Sequence, residues 1–223
     1  RVNQTGVFGD KSHNQTTLWD ETQPLVLGAL TWSKDLNKGF EDYLKFDEAL
    51  TSCSNVEIRF LGRKPPNIKF KNINVYRPRY KKGVAKFLKR CNGFIQMARF
   101  ETCSNALIEA ISCGLPVIYV DSGSSRELAE GCGIEFNGNA ESSIKNFIRH
   151  YNSLATNARG KDFSIEHTNV SVTIETHPYY NLECISVHPC KHADAMKKLI
   201  KIELENNNTI KVAHYFIYFL KFV

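Results

Sequence analysis

Between Leu25 and Asn152 the sequence alternates short apolar runs with amphipathic stretches, and this alternation constrains the fold more than any other feature of the chain. Leu25–Thr31, Asn55–Leu61, Ile73–Tyr76, Phe94–Ala98 and Pro116–Val120 read as strands. Between and after them, 38–52, 84–91, 104–113, 124–130 and 142–152 read as helices, with Ser104 or Asn105 as a cap and Gly114 as a stop. Strands alternating with helices at this spacing predict a parallel, doubly wound, Rossmann-like α/β sheet covered on both faces. Ligands in such sheets bind at the carboxyl ends of the strands. The loops after Thr31, Gly62, Ala98 and Val120 are therefore the places to look for a site.

Those loops carry suggestive chemistry. After the first strand, Lys34 and Lys38 stand at a helix start, where free amides and the helix dipole favour an anion. After Ala98 come Glu101 and, across a helix start, Glu109, with Ser104 and Asn105 between them. After Val120, Ser122 and Gly123 belong to a small-residue loop that leads into another helix. Carboxylates able to accept from sugar hydroxyls, beside helix ends able to donate to phosphates, describe a nucleotide-sugar site. The plainer alternatives are a helix-surface charge for Glu109 and a loop carboxylate near a helix dipole for Glu101.

Charge divides the chain. Of its 223 residues, 29 are basic and 23 acidic, giving a net charge of +6. Residues 161–223 hold seven of each, so the excess lies in the first 160. Arg63 to Arg90 contains eleven basic residues and no acid. That run is either a solvated lysine-rich face or a surface that attracts phosphates, nucleotides or an anionic membrane. Aromatic residues are sparse in it, which disfavours nucleic acid.

No stretch reaches the roughly 18 uninterrupted apolar residues of a membrane helix. The richest, Val212–Val223, is interrupted by His214 and Lys221. The chain opens on Arg1 without an initiator Met or an apolar leader, which points to a fragment, and its seven cysteines are scattered without a disulfide-scaffold pattern. The expectation is a soluble, cytoplasmic chain.

The block Glu101…Asn105-Ala106-Leu107-Ile108-Glu109-Ala110…Gly114-Leu115-Pro116-Val117-Ile118…Asp121-Ser122-Gly123…Glu127-Leu128 resembles the donor-binding, C-terminal lobe of retaining GT-B glycosyltransferases. The resemblance covers about residues 25–152. It implies that Glu101 contacts the donor hexose, Glu109 the ribose hydroxyls and Lys38 the diphosphate. It also implies retention of anomeric configuration without a required metal or other cofactor, the nucleotide sugar being the donor substrate. Where that family has an arginine five residues before the lysine, this chain has Ser33, and Lys34 or Arg63 are the candidate replacements, although neither reproduces the same fork geometry. The N-terminal lobe that carries the acceptor site in such enzymes has no counterpart here, so donor binding rather than turnover is expected.

From Asp162 the sequence changes character. Ser171–Glu175 alternates as a strand, and a helix is predicted from about Lys191 to Glu205. Cys190 stands at that helix's start between His188 and His192, a position that favours thiolate. The plain alternative is a half-buried structural cysteine. The alternate-residue spacing of the two histidines does not suit zinc, and no metal is expected.

The run Thr173-Ile174-Glu175-Thr176-His177-Pro178…His188-Pro189-Cys190-Lys191-His192-Ala193 resembles the active-site segment of the autophagy-related ubiquitin-like conjugating enzymes. By that resemblance Cys190 forms a thioester with the C-terminal glycine of the ubiquitin-like modifier, received through its activating enzyme, and passes it to phosphatidylethanolamine. Residues 1–160 are thus expected to form a nucleotide-sugar-binding lobe, and residues 161–223 a partial α+β tail of the conjugating-enzyme type. Together they read as a fusion of two transferase segments that meet near 157–161. The alternatives are that the conjugating function is the true one, or that the chain is a non-catalytic module in peripheral contact with anionic surfaces.

Overall fold

The structure, a computed structural model, describes residues 18–100, 104–161, 171–177 and 182–188. The chain divides into two compact units, one spanning Val7–Lys161 and the other Asp162–Val223 with Arg1–Gly6.

In the larger unit, β1 (Leu25–Thr31) leads through a 3-10 turn (Leu36–Lys38) into α1 (Phe40–Ala49). There follow β2 (Val56–Gly62), β3 (Asn74–Tyr76), α2 (Lys82–Leu88), β4 (Gly93–Gln96) and α3 (Asn105–Ser112). The unit closes with β5 (Val117–Tyr119), α4 (Ser125–Ala129), β6 (Gly133–Glu135) and α5 (Ala140–Gly160). The six strands form one parallel sheet in the order β3-β2-β1-β4-β5-β6. This is the doubly wound order, and strand succession reverses between β1 and β4. Leu27 pairs with Ile58 on one side and Gly93 on the other, which fixes the register across that reversal.

Helices on both faces explain why β1 is almost continuously apolar, since neither face meets water. Leu25, Leu27, Phe46, Phe60, Ile95 and Phe147 are fully buried in one core. Gly93 lets α5 approach β4 closely, because a Cβ there would lie 2.5 Å from Phe147 Cζ and 2.9 Å from Leu27 Cδ2.

The element ends differ from the sequence reading for local reasons. The first helix starts at Phe40 rather than Lys38, because Gly39 adopts φ 72° and separates the 3-10 turn from α1. The last helix runs Ala140–Gly160 instead of 142–152. Asn139 caps it early, its side-chain oxygen accepting from Ser142 N at 2.8 Å, and Leu154, Ala155 and Ala158 extend its buried stripe. Strand β6, with only three residues and little burial, carries no signal that the sequence reading could use.

In the smaller unit β7 (Ser171–His177) and β8 (Leu182–His188) form an antiparallel hairpin, Ser171 pairing with His188. The first of these strands was foreseen to Glu175 and the second was not. The helix predicted from Lys191 and the 212–223 segment lie outside the described residues, as do Glu101 and Cys190. Among the described residues no helix is long and apolar enough to cross a membrane.

Gly93→Ala is expected to cost about 1–3 kcal/mol through overpacking against Phe147. In urea unfolding, Gly93→Ala combined with Phe147→Leu should cost less than the sum of the single changes.

Candidate functional site

Three loops meet at the carboxyl ends of β1, β4 and β5, and backbone contacts bind them together. Arg99 N donates to Asn37 O at 2.6 Å, which joins the loop after β4 to the loop after β1. Phe100 N donates to Ser122 Oγ at 2.7 Å, which joins it to the loop after β5. At Gly39 a Cβ would sit 2.0 Å from Met97 O, so the chain leaving β4 crosses the start of α1 at a distance only glycine permits. The crossing falls at the switch point of the sheet.

A buried carboxylate locks this crossing. Asp42, in the first turn of α1, accepts from Arg99 at 2.6 Å and from Lys45 at 2.7 Å. Burial works to raise its pKa, but the hydrogen bonds from Lys45 and Arg99 together outweigh that, and the carboxyl is held below its ordinary range. Tyr43, one residue on, donates its hydroxyl to Ile95 O at 3.1 Å, tying α1 to β4 as well. Nothing in the sequence reading pointed to Asp42 or Arg99; the pairing spans 57 positions and leaves no local pattern.

The foreseen site residues divide by environment. Lys38 ends the 3-10 turn and is half-buried; partial burial draws its pKa down against the opposing pull of Asp35. A partly desolvated cation gains from an anionic partner more than a solvated one does. Glu109 lies inward on α3, only 8% exposed, so it is not the helix-surface charge considered above. Ser104 caps α3, its Oγ accepting from Leu107 N at 3.3 Å and from Gln96 Nε2 at 2.6 Å, which anchors the helix to the end of β4. Asn105, the first residue of α3, is exposed at that helix start.

Ser122 Oγ is engaged by the Phe100 amide, and Gly123 holds φ 57° in the exposed turn before α4. Lys34 and Arg63 are both exposed. Arg63 has a fixed backbone: its N donates to Thr31 O at 3.0 Å and its carbonyl accepts from Thr31 Oγ1 at 2.5 Å. Ser33 Oγ bonds the Asp35 side chain and accepts from Asp35 N at 3.0 Å, closing a local turn. Phe100, immediately before Glu101, is 83% exposed with φ 57°. A cavity of about 460 Å³ opens elsewhere, between β6 and the start of α5, lined by Glu135, Asn137, Glu141, Lys145 and Arg149. None of the foreseen site residues lines it.

The fold defines a Rossmann-like α/β lobe of the glycosyltransferase type. The sequence model of the glycosyl transferases group 1 family matches residues 24–153, more than half of the chain, and the chain belongs to that family. Similar folds occur in the lipopolysaccharide glycosyltransferase WaaG and in HepE from Anabaena. WaaG has 19% identity, a TM-score of 0.53 and coverage of 71% of this chain and 46% of that one. HepE, solved with UDP and glucose, has 17% identity, a TM-score of 0.52 and coverage of 71% and 49%. The pneumococcal O-GlcNAc transferase GtfA, in complex with UDP and GlcNAc, has 14% identity, a TM-score of 0.52 and coverage of 65% and 34%.

A second match, to the active-site domain of the autophagocytosis associated proteins, covers residues 137–223. Autophagy-related protein 3 of Schizosaccharomyces pombe is 48% identical over 65 residues, 28% of this chain and 24% of that protein. Its counterpart in Dictyostelium discoideum is 40% identical over 63 residues, 28% of this chain and 19% of that protein. The chain thus joins a glycosyltransferase-like domain to an autophagy active-site segment. It spans about a quarter or less of these curated relatives and under half of the solved glycosyltransferases. The two matches overlap at 137–153, where Ile144, Phe147 and Tyr151 of α5 belong to the core of the larger unit.

Asp42→Asn is expected to destabilise the larger unit by about 1–3 kcal/mol at neutral pH by weakening charged hydrogen bonds. Because the folded carboxyl titrates below the ordinary 3.8, this contribution is complete above that value and fades as pH falls through the lower folded one. Urea unfolding at neutral and acid pH should show the wild-type advantage shrinking in acid.

Proposed function

We propose that the larger unit binds the nucleoside diphosphate sugar of a retaining glycosyl transfer. The observation that carries this is the joining of three ligand-type loops at the switch point of the sheet, with half-buried Lys38 among them. In this reading Lys38 meets the diphosphate, with Lys34 and Arg63 in place of the absent arginine. Glu109 accepts from the ribose hydroxyls and Glu101 from the hexose, near the starts of α3 and α4 that carry Asn105, Ser122 and Gly123. As the bond from the anomeric carbon to the diphosphate breaks, negative charge grows on the leaving oxygen, and a fixed cation with helix amides stabilises it without a required metal. Two fold neighbours hold UDP with a sugar, which makes UDP-sugars the first class to try. Donor binding, without turnover by this chain alone, is the expected activity.

At donor concentrations about a hundredfold above Kd, stabilisation reaches about 2.7 kcal/mol. In a thermal unfolding series with UDP-, GDP- and ADP-sugars, one class should raise the Tm by roughly 5–10 °C. Lys38→Ala and Glu109→Gln should each remove most of that rise. The absence of any rise across the panel would overturn the proposal.

A second reading rests on the tail, which carries Cys190 and lies within the 137–223 match to the active-site domain of the autophagocytosis associated proteins. There Cys190 Sγ would take the modifier's C-terminal acyl group from the activating enzyme's thioester, releasing that enzyme's thiol. The amine of phosphatidylethanolamine would then displace Cys190. Both partners would be met in the cytoplasm. Incubation with activating enzyme, modifier and ATP should give a thiol-reducible adduct that Cys190→Ser lacks. No adduct, under conditions that charge an intact conjugating enzyme, would overturn this reading.

A further inference from the structure

The run from Arg63 to Arg90 is concentrated at one edge of the sheet. Strand β3 is the edge strand, its three residues are exposed, and the loop that follows leads directly into α2. Arg77, Arg79, Lys81, Lys82 and Lys86 are all exposed, and among the described residues none of them forms an ion pair. Lys82 and Lys86 are one helical turn apart on α2 and so share a face. Arg79 lies against the start of the same helix, its Cβ 2.9 Å from where a Cβ on Gly83 would be.

Aromatic residues accompany these cations. Tyr80 is 72% exposed and stacks on the exposed Trp32 ring, with centroids 5.0 Å apart. Tyr76, also exposed, meets Phe87 edge-on at 6.0 Å. Val75, the preceding residue of the same edge strand, is also exposed. Tyr and Trp beside unpaired Lys and Arg suit the headgroup level of a bilayer, where a ring takes the apolar side and its hydroxyl or N–H the wet one.

We propose that the β3–α2 segment, Val75 to Lys86, is a docking surface for an anionic lipid bilayer. The cations meet lipid phosphates and carboxylates, and Tyr80 and Tyr76 seat among the headgroups. Tyr80 also contacts Trp32, the first residue beyond β1, so the docking edge adjoins the loop that carries Lys38. The surface depends on charge and exposure alone and is independent of whether a nucleotide sugar binds.

The test sediments the full chain with vesicles of phosphatidylcholine, and with vesicles in which phosphatidylserine replaces part of it. The chain should bind the anionic vesicles, less so as salt rises, and leave the neutral ones in solution. Arg77→Gln, Arg79→Gln, Lys82→Gln and Lys86→Gln combined should weaken binding by about fivefold per cation, several hundredfold in all. Tyr80→Ser, which keeps the charge, should weaken binding while preserving its salt dependence. Equal binding to both vesicle types, no binding to the anionic ones, or a fourfold variant that folds and binds like wild type would each overturn the proposal. Stronger binding to a single-stranded oligonucleotide than to anionic vesicles would overturn it in favour of nucleic acid.

Discussion

The crossing of Met97 over Gly39 is the contact on which the arrangement of loops at the carboxyl end of the sheet depends. In a parallel sheet the strands deliver their loops to one end, but delivery alone leaves those loops free to splay. Here the backbone after β4 lies against the first residue before α1, too close for any side chain at position 39. That approach puts Arg99 N within reach of Asn37 O and the Arg99 guanidinium within reach of Asp42. Phe100 then reaches Ser122. A single steric fact, glycine with φ 72° at the head of α1, thus sets the positions of three loops.

Buried charge reinforces this arrangement. A carboxylate removed from water costs free energy unless it is fully paired, and the price of leaving one bare exceeds the gain of a surface ion pair. Asp42 meets that condition with two cations, Lys45 and Arg99, whose side chains remain about half exposed. Asp47, on the same helix, meets it with backbone donors: Lys71 N, Asn72 N and Ile73 N all reach its carboxylate within 3.1 Å. One helix therefore carries two buried acids, one holding the loop after β4 and the other the approach to β3.

Strands covered on both faces announce themselves as continuous apolar runs, which is why β1 was legible to its last residue and β2, β4 and β5 to within a few. Helix ends were less legible because caps decide them: Asn139 started α5 two residues before the first one foreseen. The glutamate and lysine pattern pointed to loops that the structure brings together, and Glu109 lies inward rather than on the helix surface. What sequence could not show was the joining of those loops. Arg99 to Asn37 and Asp42 to Arg99 are long-range contacts whose partners have no shared periodicity or spacing. The tail reads differently again, since its strongest signal is a short motif around Cys190 rather than a pattern of burial.

The positive charge of the β3 edge follows from the same helix. A run of eleven basic residues without an acid would ordinarily recruit carboxylates from elsewhere in the fold. Asp47 gives its oxygens to three main-chain amides and so orders Lys71–Ile73, with no ion pair to a lysine side chain among the described residues. Glu57, on the neighbouring strand β2, is taken by Arg59 at 2.8 Å and by Asn74 at 3.0 Å. The approach to β3 is therefore held by acids that pair with no lysine or arginine of the 77–86 segment, and among the described residues the charge of Arg77 to Lys86 has no carboxylate partner. An ordered surface with unspent charge is a poor route to stability, because like charges crowded on one edge repel. Its retention beside an exposed Trp–Tyr pair is the feature that a docking role accounts for and that packing alone does not.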